Sequence, residues 1–160
     1  MLLSLDNRRV YFDLAGPQNA PTVCFTHSLN SDGGMWVEQM VPLLAAGYRV
    51  LRLDMRGHGG SAAVEGDYTM AALAADVKGA LDVLGIAKVN FIGLSIGGMI
   101  GQGFALAHPG RLLSLTLCDT QPSTPPGSAG TWEERKAVVR SKGLAALADG
   151  TMERWCTDEF

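Results

Sequence analysis

The chain has 160 residues, enough for one domain with a hydrophobic core. Hydrophobic residues make up 47% and charged residues 18%, which argues against disorder, and a net charge of −3 without a basic cluster argues against nucleic-acid binding. No apolar run reaches the length of a membrane span, and MLLSLDNRR puts its charges after its apolar run, the reverse of a secretory signal, so a cytoplasmic, non-membrane protein is expected.

Two short strands open the chain in LLSLDNRRVYFDLAG, joined at the turn-forming pair Asp6-Asn7. TVCFTH, Thr22 to His27, reads as a buried strand. SDGGMWVEQMVPLLAAG reads as a helix with Trp36, Met40, Leu43 and Leu44 on one face and Pro42 as a candidate kink. YRVLRLD is the next strand, and MRGHGGSAAVEGD a glycine-rich loop. From Thr69, Leu73, Val77, Leu81 and Leu84 mark a helix face closed by Gly85. KVNFIGL is a strand, Ser95 to His108 a helix stopped before Pro109, and LLSLTLCD a further strand. Two strands followed by strand–helix repeats predict an α/β fold with a mostly parallel, doubly wound sheet and helices on both faces.

The composition changes at Gln121. Residues 1–120 form the α/β core in this reading, 121–130 a Pro/Ser/Gly-rich linker, and 131–160 a helical segment. Thr131-Trp132-Glu133-Glu134 has the form of a capping box opening a helix. Gly143 is expected to split that helix and Gly150 to end it, with a last helix starting near Thr151 and running to Phe160 without a cap. Trp132 and Trp155 are expected in the helix core. Cys24, Cys118 and Cys156 are odd in number and widely spaced, so buried reduced thiols are expected and a metal site is not.

Gly93-Leu94-Ser95-Ile96-Gly97 fits G-x-S-x-G between a strand and a helix, the context of a nucleophile elbow. A tight strand–turn–helix forces Ser95 into a strained backbone region and lifts its Oγ above the sheet edge, while Gly93 and Gly97 leave room for the turn. An acyl-transfer site also needs oxyanion donors. The Ile96 backbone N–H follows the nucleophile, and Leu29, in the THSLN loop after the third strand, is the expected second donor.

The sequence resembles the α/β-hydrolase fold family and, within it, the 3-oxoadipate enol-lactonases. The residues carrying the resemblance are HSLN with the following Trp36, LDMRGHGGS from Leu53 to Ser61, Tyr68, GLSIGGMIGQG and LCDT, and the likeness extends into the start of a lid at Glu153 to Trp155. It implies that Ser95 attacks an ester or lactone carbonyl, that the Ile96 and Leu29 amides hold the oxyanion, and that a histidine oriented by an acid serves as base. The substrate is then a small ester or lactone. No cofactor or metal is implied.

The sequence departs from that pattern at the base. The family's triad order is Ser, then Asp or Glu, then His. After Ser95 only His108 follows, thirteen residues down the same helix and roughly 20 Å away. His27 is expected to shape the oxyanion loop, and His58 to brace the Arg56-Gly57 turn. Asp119, at the C-terminal end of the strand after the elbow, is the candidate acid, in competition with a turn-capping role. Asp54 is expected to anchor a loop. Arg56 is expected to hold its glycine turn rather than a carboxylated substrate. The expectation is therefore an incomplete hydrolase stabilised by a complementary C-terminal fragment or by homo-oligomerisation. The alternatives are a broad-specificity carboxylesterase and a non-catalytic binding module of the same fold.

Overall fold

The computed structural model describes residues 1–159. The first strands, β1 (Leu2–Leu5) and β2 (Arg8–Ala15), form a hairpin whose turn residues Asp6 and Asn7 have φ of 49° and 62°. Short polar side chains tolerate that left-handed backbone. Strands β3 (Thr22–Thr26), β4 (Arg49–Leu53), β5 (Val89–Leu94) and β6 (Leu112–Cys118) complete a six-stranded sheet in the order β1-β2-β4-β3-β5-β6. The pairs β4–β3, β3–β5 and β5–β6 are parallel, and β1–β2 and β2–β4 antiparallel.

Every residue of β3 is buried, because this strand is covered on both faces. Side chains alternate between those faces. Val23, Phe25 and Val50 pack with Trp36 and with Met40, Leu43 and Leu44 of α1 (Val37–Ala45) on one side. Cys24, Leu51 and Phe91 pack on the other with Leu73, Val77 and Leu81 of α2 (Met70–Val83) and with Ile100 and Phe104 of α3 (Ile96–Ala107). The predicted helices on both faces are thus present.

Several local expectations need correction. The helix expected from Ser31 begins instead as a short 3-10 turn, Gly33–Trp36, because the Asp32 side chain accepts from Gly34 N–H and tightens the entry; Pro42 stays inside α1. Of the three free cysteines only Cys24 is fully buried, and burial pushes its thiol pKa up to about 12; Cys118 and Cys156 are half-buried. Cys118 ends β6, an edge strand of the described residues, where Leu113 and Leu117 are 56% and 44% exposed.

Residues 1–122 form one compact unit, and a second begins at Ser123. In the second, α4 spans Ala129–Lys142 and starts two residues before Thr131. Thr131 therefore lies in the first turn and does not cap it; the N-cap position falls to Ser128, without a side-chain bond. Gly143 does end α4, its φ of 80° being left-handed. Gly150 lies inside α5 (Ala148–Trp155) rather than ending a helix, where Thr151 Oγ1 donates to Leu147 C=O at 2.7 Å. Trp132 and Trp155 are exposed rather than core, and Arg135 stacks over the Trp132 ring at 4.9 Å. The expected uncapped end at Phe160 lies outside the described residues. No described helix is long and apolar enough to cross a membrane.

Candidate active site

Strand β5 runs into α3 through a single residue, Ser95, which has φ 55° and ψ −118°. A non-glycine residue held in such a region costs on the order of 1–3 kcal/mol and persists only where its surroundings over-determine it. They do so here. Ser95 N–H donates to Cys118 C=O at 3.0 Å, and Ser95 C=O accepts from Gly98 N–H at 2.9 Å, Met99 N–H at 3.1 Å and Thr120 Oγ1 at 2.7 Å.

The flanking glycines are required by space rather than by φ. A Cβ on Gly93 would lie 2.3 Å from Gly97 O, and one on Gly97 would lie 2.4 Å from Thr26 O and 2.8 Å from His27 O. The elbow is thus pressed against the end of β3, and Thr26 Oγ1 donates to Gly97 C=O at 3.0 Å across that contact. Because β3 and β5 are parallel neighbours with Thr26 opposite Gly93, the loop carrying Leu29 and the turn carrying Ile96 leave the sheet at the same edge. Leu29 is half-buried there, followed by Asn30 in left-handed backbone at φ 63°. Ile96 opens α3, whose N-terminus favours negative charge.

Ser95 lines an open pocket of about 240 Å³ together with Met99, Asp119, Thr120 and Gln121. Asp119 follows β6, is exposed, and has φ 39°. The pocket thus brings Asp119 to the same side as Ser95, but no histidine lines it.

Each histidine has another environment. His27 is fully buried; its Nδ1–H donates to Ser28 C=O at 2.8 Å, and its Nε2 accepts from Met55 N–H at 2.9 Å. These partners fix a neutral ring protonated on Nδ1. Burial lowers its pKa below the ordinary value, with neighbouring His58 adding to that effect. His58 is half-buried, and its Nδ1–H donates to Arg56 C=O at 3.2 Å, which braces the Arg56-Gly57 turn. His108 caps the far end of α3, against the Phe104 ring.

The loop after β4 is anchored by Asp54, whose carboxylate accepts from Gly33 N–H at 2.7 Å and Gly60 N–H at 2.8 Å. Arg56 is held in a two-point ion pair by Asp76 at 2.6 and 2.7 Å and lies over the Tyr68 ring; Arg8 pairs with the same carboxylate. Arg56 is therefore a scaffold residue in this structure. Sequence reasoning missed Asp76 as its partner and Thr120 as a contact of Ser95. Only the strand order, which places the end of β6 beside the elbow, could have pointed to Thr120. Among the described residues no cluster of metal-ligating side chains is present.

Comparison with known proteins agrees with this architecture. Residues 21–144 match the alpha/beta hydrolase fold family, and the chain belongs to it. Among its relatives, 3-oxoadipate enol-lactonase 1 of Acinetobacter baylyi is 35% identical over all of this chain and 59% of its own length. The enol-lactonase of Burkholderia xenovorans LB400 superposes with a TM-score of 0.92 at 37% identity, over 99% of this chain and 61% of that one. A thermophilic esterase from Thermogutta terrifontis follows at 0.85 and 30% identity, over 95% of this chain and 56% of that one. This chain thus spans about three-fifths of the length of the enol-lactonases it resembles.

Proposed function

We propose that this chain carries the nucleophile and oxyanion hole of a serine hydrolase acting on a small carboxylic ester or lactone, with 3-oxoadipate enol-lactone as the favoured substrate. The carrying observation is Ser95 itself, a non-glycine residue clamped at φ 55° above the sheet edge and facing an open pocket. A serine with only a packing role has no need of that strain.

In this reading Ser95 Oγ attacks the lactone carbonyl carbon. The carbonyl oxygen, now negative, is held by the Ile96 N–H at the α3 N-terminus and the Leu29 N–H of the loop after β3. A histidine takes the serine proton and passes it to the departing ring oxygen as the ring C–O bond breaks. Water then attacks the acyl-serine, the same histidine takes its proton and returns it to Ser95 Oγ as the acyl C–Oγ bond breaks, and the ring-opened enol acid tautomerises to the keto acid. His27 has both ring nitrogens committed, and no histidine lines the Ser95 pocket. The base is therefore assigned to polypeptide outside residues 1–160. Asp119 is the one acid in the pocket, and its exposure and turn position favour capping over orienting a base.

The lactonase preference rests on the enol-lactonase relatives, and the esterase relative favours a second reading, a broad carboxylesterase. Turnover of the enol-lactone and of p-nitrophenyl esters separates them, with imidazole in solution standing in for the base and Ser95→Ala as the control. Ser95-dependent turnover favouring the lactone is expected. Faster ester turnover makes the protein a carboxylesterase, and no Ser95-dependent turnover with either makes it a binding module.

A further inference from the structure

The end of β6 touches the elbow in a way that ordinary hydrogen-bond satisfaction does not explain. The Ser95 carbonyl already accepts from Gly98 and Met99, the first-turn amides of α3. A carbonyl oxygen has two lone pairs. The Thr120 hydroxyl is nevertheless a third donor, and at 2.7 Å it has the shortest of the three contacts. Its side chain sits directly against Gly98, since the place where a Gly98 side chain would begin lies 2.6 Å from Thr120 Cγ2. Glycine at 98 is what lets Thr120 come this close.

The oxygen that Thr120 contacts belongs to the peptide unit whose other end is the Ile96 N–H. Peptide resonance links the two ends. Donors on the oxygen draw electron density toward it and leave the N–H more positive, so the hydrogen bonds strengthen one another along the chain. We propose that Thr120 is a positioning residue of the acyl-transfer site: its hydroxyl holds the strained Ser95 turn and, through the Ser95–Ile96 peptide, strengthens the Ile96 N–H as an oxyanion donor. This rests on the serine-hydrolase reading above. Thr120 also lines the Ser95 pocket, but in this role it acts through the Ser95–Ile96 peptide and not on the reacting atoms.

The test compares wild type, Thr120→Val and Thr120→Ser in the 160-residue chain by two readouts. The first is the Ile96 amide proton shift by NMR. The second is the rate of Ser95 modification by a fluorophosphonate in imidazole buffer. Thr120→Val moves the Ile96 amide upfield and slows modification about three- to tenfold, the loss expected for one neutral hydrogen bond. Thr120→Ser, which keeps the hydroxyl, returns both to wild type. Should the valine variant not fold, Thr120→Ala takes its place. A labelled wild type with an unmoved Ile96 amide in the folded variant overturns the coupling and leaves the hydrolase reading intact. An amide that moves while wild-type Ser95 stays unmodified overturns the hydrolase reading and leaves the peptide coupling standing.

Discussion

Ser95 keeps its strained backbone because the residues around it leave no alternative, and Gly93 and Gly97 make the tightest approaches beside it. Gly97→Ala would put a methyl group into the Thr26 carbonyl, so it is expected to lower stability by about 1–3 kcal/mol in urea unfolding. Gly110→Ala, where nothing lies within 4 Å, is the control and should be close to neutral. The elbow was legible in the sequence because its signals are local: the flanking glycines, the apolar strand before Ser95 and the helix after it lie within a few residues of one another. Thr120 was not legible in this way, because its contact with Ser95 spans 25 residues and depends on β6 lying beside β5.

At the scale of elements, two buried polar groups tie the loops after β3 and β4 together. Asp54 reaches Gly33 across one junction, and His27 accepts from Met55 across another. The His27 bond works only with a neutral ring, and its folded pKa lies below the ordinary value of about 6.5. As the pH falls, the unfolded chain takes up this proton first. The contribution of His27 is thus complete above about pH 7 and declines as the pH drops below about 6.5. Urea midpoints should fall over that window in wild type, and His27→Gln, less stable throughout, should lose that part of the slope. An unchanged slope in the variant contradicts the assignment. The ion pairs on Asp76 give a second expectation. Asp76→Asn leaves Arg8 and Arg56, both half-buried, without their shared carboxylate and should cost about 1–3 kcal/mol. Periodicity exposed most of the elements themselves, whereas the α4 start did not follow the Thr131 signal. A capping motif shows what could cap a helix, while its neighbours decide where the helix starts, here just beyond the Pro125–Gly127 turn.

For the whole molecule, the sheet ends at β6 in an edge that is parallel, apolar and exposed at Leu113 and Leu117 among the described residues. Such an edge invites pairing. We expect the 160-residue chain to self-associate with increasing concentration on size-exclusion chromatography, and Leu113→Lys with Leu117→Lys to reduce that association. A monomer at all concentrations contradicts it. The strand order, the elbow and the two buried faces together make the central claim, that Ser95 is built as a nucleophile. Intact mass spectrometry after incubation with a fluorophosphonate in imidazole buffer tests it most directly. Ser95 Oγ would form a bond to phosphorus as fluoride leaves, with imidazole taking the hydroxyl proton. The account predicts one adduct per wild-type chain and none on Ser95→Ala; no adduct on folded wild type, or the same adduct on both, would contradict it.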